Sequence, residues 1–124
     1  MKKVAELISL KGSAALITGA TGNIGQEVAL TIAELGGNLI LVDRPGSNYD
    51  QIRENVLDNW NVNVKCIDCD LENHNSRINL IEEIVKNNVN LDILINNAAF
   101  VGESNLEGWV EDFDKQSLET WNRA

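Results

Sequence analysis

The sequence predicts an α/β protein built on a doubly wound parallel sheet. Short apolar runs alternate with amphipathic segments along its length, and the runs are nearly continuous, not alternating with polar residues. Continuous apolar strands are covered on both faces, and strands that alternate with helices pair in parallel through right-handed crossovers. A glycine-rich turn, Thr18-Gly19-Ala20-Thr21-Gly22-Asn23-Ile24-Gly25, joins the first strand to the first helix.

The first strand is the run Ala14-Ala15-Leu16-Ile17. Val28, Ala29, Ile32 and Ala33 then recur at helical spacing, and Gly36-Gly37 stops that helix. Asn38-Leu39-Ile40-Leu41-Val42-Asp43 is the second strand, and Pro45-Gly46-Ser47 is a turn. Ile52, Val56 and Trp60 mark the second helix, and Val62 to Ile67 the third strand. The third helix carries the stripe Ile78, Ile81 and Val85, with Asn73 or Asn75 as its cap. Asp92-Ile93-Leu94-Ile95-Asn96 is the fourth strand. A loop rich in Gly, Glu and Asn follows, and a last helix starts near Ser117.

At 124 residues the chain has room for one domain, spanning 1–124. A hydrophobic content of 44% argues against disorder. The net charge of −9 excludes nucleic acid and anionic membrane as expected partners. An anionic cofactor stays compatible, because the field at a helix terminus outweighs a screened global charge. Met1-Lys2-Lys3 and the apolar residues after it resemble a signal sequence, but Glu6, Ser9 and Lys11 interrupt the run and no small-residue cleavage site follows. No run is long enough to span a bilayer, so a cytoplasmic location is expected.

Cys66 and Cys69 form a C-x-x-C with Asp68, Asp70 and His74 nearby. At a strand end, residues three apart face opposite sides, and the ligand set is incomplete. No metal site is expected. His74 reads as a surface residue near a helix start, and Trp60, Trp109 and Trp121 as packing residues, since no basic groove accompanies them.

The glycine turn carries the chemistry. Strand, glycine-rich turn and helix is the context in which these glycines bind a dinucleotide. Gly19 permits the tight turn, Gly22 lets backbone approach a pyrophosphate, and Gly25 lets helix pack closely on strand. The anion meets free N–H groups at the positive end of the helix dipole.

Together these residues resemble the short-chain dehydrogenase/reductase family over essentially the whole chain. The resemblance rests on Leu10-Lys11-Gly12, the glycine turn, Asp43, Asp70-Leu71, and Leu91-Asp92-Ile93-Leu94-Ile95-Asn96-Asn97-Ala98-Ala99, in family order and spacing. Phe113-Asp114 and Trp121-Asn122-Arg123 continue it. It implies a Rossmann-like sheet with strand order 3-2-1-4, cut after the fourth strand, and an oxidoreductase moving hydride between a nicotinamide cofactor and a carbonyl or secondary alcohol.

The resemblance also assigns roles. Gly19, Thr21, Gly22, Asn23, Ile24 and Gly25 line the phosphates and adjoining ribose. Asp43 accepts from the adenosine ribose hydroxyls, which selects NAD over NADP, while the neighbouring Arg44 offers a guanidinium to a 2′-phosphate. Asp70 contacts the adenine amino group with Leu71 packing nearby. Asn97 and Ala98 border the cofactor at the end of the fourth strand, and Asn96 braces the sheet. Asp43, Asp70 and Asn97 each also have a local reading, as a solvated strand-end carboxylate, a turn cap and a partner for loose backbone groups. A homo-oligomer is the expected assembly.

The sequence departs from the family in two ways. The spacing G-x-x-G-x-x-G is commoner in the family's extended branch of nucleotide-sugar epimerases and dehydratases, whereas Asn96-Asn97-Ala98-Ala99 resembles the shorter, dehydrogenase-type branch. The family's tyrosine, the lysine four residues later and the accompanying serine are also missing. The single tyrosine, Tyr49, is followed by Arg53 and sits at the start of the second helix. No catalytic residue is therefore assigned. The chain reads as the amino-terminal, cofactor-binding part of a longer enzyme. The alternatives are an extended-branch epimerase or dehydratase, or a nucleotide-binding sensor without catalysis.

Overall fold

A computed structural model describes residues 7–87, 89–99 and 112–119. Four parallel strands, β1 (Ala14–Thr18), β2 (Asn38–Asp43), β3 (Val64–Asp68) and β4 (Ile93–Ile95), form one sheet in the order β3-β2-β1-β4. Three helices connect them: α1 (Asn23–Glu34), α2 (Asp50–Asn59) and α3 (His74–Lys86). The expected strand order and parallel sheet are thus present. The third strand starts at Val64, two residues later than its apolar run suggests. Val62 still packs against the core. A single turn of 3-10 helix spans Phe113–Lys115, and helical backbone resumes at Leu118.

The two central strands are buried on both sides, which explains their unbroken apolar runs. Ile17, Leu39 and Leu41 face α1 and α2, where Ala29, Ala33, Ile52 and Val56 close one core. Leu16, Ile40, Val42 and Ile67 face the other way and meet Leu80 of α3 in a second core. Small residues on α1 let that helix approach the sheet closely. Trp60 packs against the first core; Trp109 and Trp121 lie outside the described residues.

The two cysteines separate as the strand geometry requires. Cys66 packs with the first core and Cys69 is buried in the second, so their thiols occupy opposite faces of the sheet. Burial raises the Cys66 thiol above its ordinary range. His74 is exposed at the first position of α3.

The expected apolar stripe of α3 is not its core face. Ile78, Ile81 and Val85 are exposed, and the helix turns Leu80 and Ile84 inward instead. Both rows satisfy helical periodicity. The choice is made by the sheet and by anchors at both ends of the helix: at its start the Asn73 side chain accepts from the Ser76 N–H, and near its end Glu83 pairs with Lys65 of β3 at 2.9 Å. Among the described residues β4 is one edge of the sheet and β3 the other. Leu94 of β4 stands opposite Leu16 in the ladder and is 57% exposed.

Candidate functional site

The described site residues gather at the carboxyl ends of the four parallel strands, where open α/β sheets present their ligand crevice. The glycine turn leaves β1 there. Gly19 has φ +64°, a left-handed conformation that favours glycine, and a Cβ at this position would meet Ala98 Cα at 2.9 Å. Gly25 admits no side chain at all. Its Cβ would overlap the Gly19 carbonyl oxygen and lie 2.8 Å from Ala20 Cα. These two glycines are explained by the protein's own packing.

Gly22 is not. Its backbone is ordinary and extended, it is exposed, and a Cβ there would meet only the Gly19 carbonyl oxygen at 3.4 Å, normal contact. It occupies the N-cap of α1, so no side chain caps the helix, and the first turn carries no acidic residue. The first i→i−4 bond runs from Gln26 N–H to Gly22 C=O, which leaves the amides of Asn23, Ile24 and Gly25 ahead of the helical ladder. Asn23 and Ile24 are exposed beside them. Uncapped amides at the positive end of a helix dipole make a seat for an anion.

Asp43 ends β2 next to this turn. Its Oδ2 accepts the Thr21 N–H at 2.8 Å and the Thr21 hydroxyl at 2.7 Å, and its Oδ1 accepts the Arg44 N–H at 2.8 Å. Partial burial raises the pKa of this carboxyl. The donors from Thr21, Arg44 and the Ser47 hydroxyl outweigh that effect and hold it below the usual range. Asp43 is therefore a bound, ionised carboxylate. Arg44 is exposed.

β3 delivers Cys69, Asp70 and Leu71 to the same end, and the Cys69 N–H donates to the Asp43 carbonyl at 2.8 Å. Asp70 Oδ1 accepts the Glu72 N–H at 3.0 Å, which is the turn-capping reading of this residue, while Leu71 is partly exposed. The Ser76 hydroxyl accepts the Asp70 N–H and donates to the Cys69 sulfur.

β4 braces the glycine turn from behind. The Asn97 side-chain amide donates to the carbonyls of Thr18 and Gly19 at 3.0 and 3.1 Å. The N–H groups of Asn97 and Ala98 both donate to the Thr18 hydroxyl, which in turn donates to the Ile95 carbonyl. The bonds that brace this end of the sheet are made by Asn97, while Asn96, from which bracing was expected, is exposed. Thr18 escaped the sequence reading. Its one signal is a hydroxyl at the end of an otherwise apolar strand, and the structure makes it the buried hinge between β1 and β4.

Tyr49 is tied to β3. Its hydroxyl donates to the Ile67 carbonyl at 3.1 Å, and burial together with the charge of Asp68 raises its pKa far above the ordinary value. Among the described residues no group of three or more His, Cys, Asp or Glu is placed to hold a metal, and no helix is long and apolar enough to cross a membrane.

Residues 13–124 match a family model described as short chain dehydrogenase. A 3-oxoacyl-(acyl-carrier-protein) reductase of Rickettsia felis is 36% identical over 113 residues, which are 88% of this chain and 42% of that protein. The NADPH-dependent 3-quinuclidinone reductase of Rhodotorula rubra superposes with a TM-score of 0.67 at 32% identity, covering 76% of this chain and 35% of that one. An NAD+-bound xylitol dehydrogenase gives 0.69 at 30% identity, covering 75% and 35%. The chain therefore spans less than half the length of each of these proteins.

Proposed function

The chain belongs to the short-chain dehydrogenase family, and from that membership we propose that it is the dinucleotide-binding part of an NAD-dependent oxidoreductase. The bound nicotinamide supplies or accepts the hydride exchanged with a carbonyl or secondary alcohol. The observation that carries the reading is the uncapped start of α1, with an unhindered Gly22, beside the ionised Asp43.

In this reading the turn from Gly19 to Gly25, with Thr21, Gly22, Asn23 and Ile24, lies along the pyrophosphate. Asp43 accepts from the adenosine ribose, and its charge disfavours a 2′-phosphate. Arg44 next to it is the counterweight. Asp70 and Leu71 border the adenine, and Asn97 and Ala98 hold the wall toward the nicotinamide. The relatives are named for either form of the cofactor, so the choice of NAD rests on Asp43 alone. Tyr49 is assigned no part in catalysis: it is followed by Arg53, not by a lysine four residues on, and its hydroxyl donates to the Ile67 carbonyl.

We expect the 124-residue polypeptide to bind NAD(H) and to show no turnover. General acid–base catalysis contributes roughly 10²–10⁴-fold, and hydride transfer also needs a substrate held against the nicotinamide. Calorimetric titration with NADH and a turnover assay on contaminant-free material check both halves. Absence of NADH binding sinks the cofactor reading, and turnover above a blank sinks the inactivity.

The polypeptide is also expected to self-associate. Leu94 on the edge strand and Ile78, Ile81 and Val85 on α3 are all exposed, and unpaired strand edges with apolar faces recruit further chains. Light scattering that finds a monodisperse monomer rules this out.

A further inference from the structure

The Asp43 carboxylate takes two of its donors from one residue. Thr21 gives it a backbone N–H at 2.8 Å and a hydroxyl at 2.7 Å, both to Oδ2. The N–H belongs to the turn and survives any substitution other than proline; the hydroxyl is removable. Thr21 is itself anchored, because the Gln26 side-chain amide donates to its carbonyl at 2.7 Å. Two donors converging on one oxygen stop the carboxylate from rotating. A carboxylate offers roughly four acceptor positions; Thr21 takes two of them on Oδ2, the Arg44 N–H one on Oδ1, and the Ser47 hydroxyl also donates to the group.

We propose that Thr21 is a positioning residue whose hydroxyl orients the Asp43 carboxylate toward the adenosine ribose and so sets selectivity for a 2′-hydroxyl over a 2′-phosphate. This inference rests on the cofactor reading above and deepens it. A carboxylate free to turn can move away from a 2′-phosphate or fold back onto its neighbours, and a pinned one cannot. The hydrogen bond also favours the ionised form, so the charge that repels the phosphate is kept. Around this carboxylate stand Asp68, opposite it in the β2–β3 ladder, the adjacent Arg44, the Ser47 hydroxyl and the Tyr49 hydroxyl. Substitution at Thr21 removes none of these four.

The test compares Thr21→Val, which keeps the shape of the side chain and loses the donor, with Thr21→Ser, which keeps the donor. Dissociation constants for NADH and NADPH are measured by calorimetry, and the Asp43 carboxyl is titrated by NMR in the free protein. Thr21→Val is expected to lower the NADH-to-NADPH selectivity about ten-fold, the size of one hydrogen bond to a charged group. The Asp43 titration midpoint should rise in the same variant. Thr21→Ser should restore both, and Thr21→Ala repeats the valine experiment if the extra methyl disturbs the turn. Equal weakening of both cofactors, or unchanged selectivity, means that Thr21 only shapes the turn and overturns the proposal while the cofactor reading stands. Binding of neither dinucleotide by the unmodified protein refutes the cofactor reading, and this inference with it.

Discussion

Replacing Gly25 by alanine is expected to destabilise the protein by more than about 3 kcal/mol, or to prevent folding altogether. Helix propensity alone argues the other way, since alanine is favoured over glycine inside a helix by about 1 kcal/mol. Packing wins here because the new methyl collides with backbone. It overlaps the Gly19 carbonyl oxygen and comes within 2.8 Å of Ala20 Cα, and neither can swing aside as a side chain would. Gly22→Ala is the matched control. Its methyl has room and its backbone is unstrained, so the loss should be no more than the N-cap preference for glycine over alanine, about 1 kcal/mol. Dinucleotide affinity should nevertheless fall about ten-fold or more, because the methyl occupies the approach of the pyrophosphate to the amides of α1. Denaturant melts and calorimetry on the two variants separate the effects. A Gly25→Ala protein as stable as the parent contradicts the close packing of α1 on β1, and unimpaired binding by Gly22→Ala places the phosphates elsewhere.

The second large effect concerns the choice of cofactor. The protein is expected to bind NAD(H) about 100-fold more tightly than NADP(H), a difference of about 2.7 kcal/mol. A phosphate placed against an ionised carboxylate in a partly desolvated site costs several kcal/mol, while a ribose hydroxyl in the same place donates a hydrogen bond to it. The donors that hold Asp43 below the usual carboxylate range keep it charged throughout the neutral range. Asp43→Ala should abolish the preference, and the exposed Arg44 guanidinium should then favour the 2′-phosphate. Calorimetry with both cofactors decides it. Tighter binding of NADP(H) by the unmodified protein would show that Arg44 governs the site and that Asp43 serves only to hold the turn.

Much of the molecule is legible in its sequence. The strands were legible because each is a local apolar run: Asn38–Asp43 forms β2 with no change of boundary. The glycine turn was legible because its spacing between a strand and a helix states a backbone requirement that few other residues meet, and both Gly19 and Gly25 meet it. What periodicity leaves open is which of two equivalent rows turns inward. Ile78–Ile81–Val85 and Leu80–Ile84 are both helical rows of α3, and contact with the sheet selected the second.

The polar contacts of the site depended still more on tertiary structure. Asn97 meets Thr18 across 79 positions of sequence, and Thr21 meets Asp43 across 22. The sequence by itself determined the elements, their order and the end of the sheet at which the glycine turn lies, because those follow from local backbone preference and the direction of the crossovers. Only the tertiary structure decided that Asn97, not Asn96, braces the turn, that Thr18 hinges it, and that Thr21 holds Asp43. Such bonds join side chains whose separation is set by strand register, and register emerges only when the whole sheet packs.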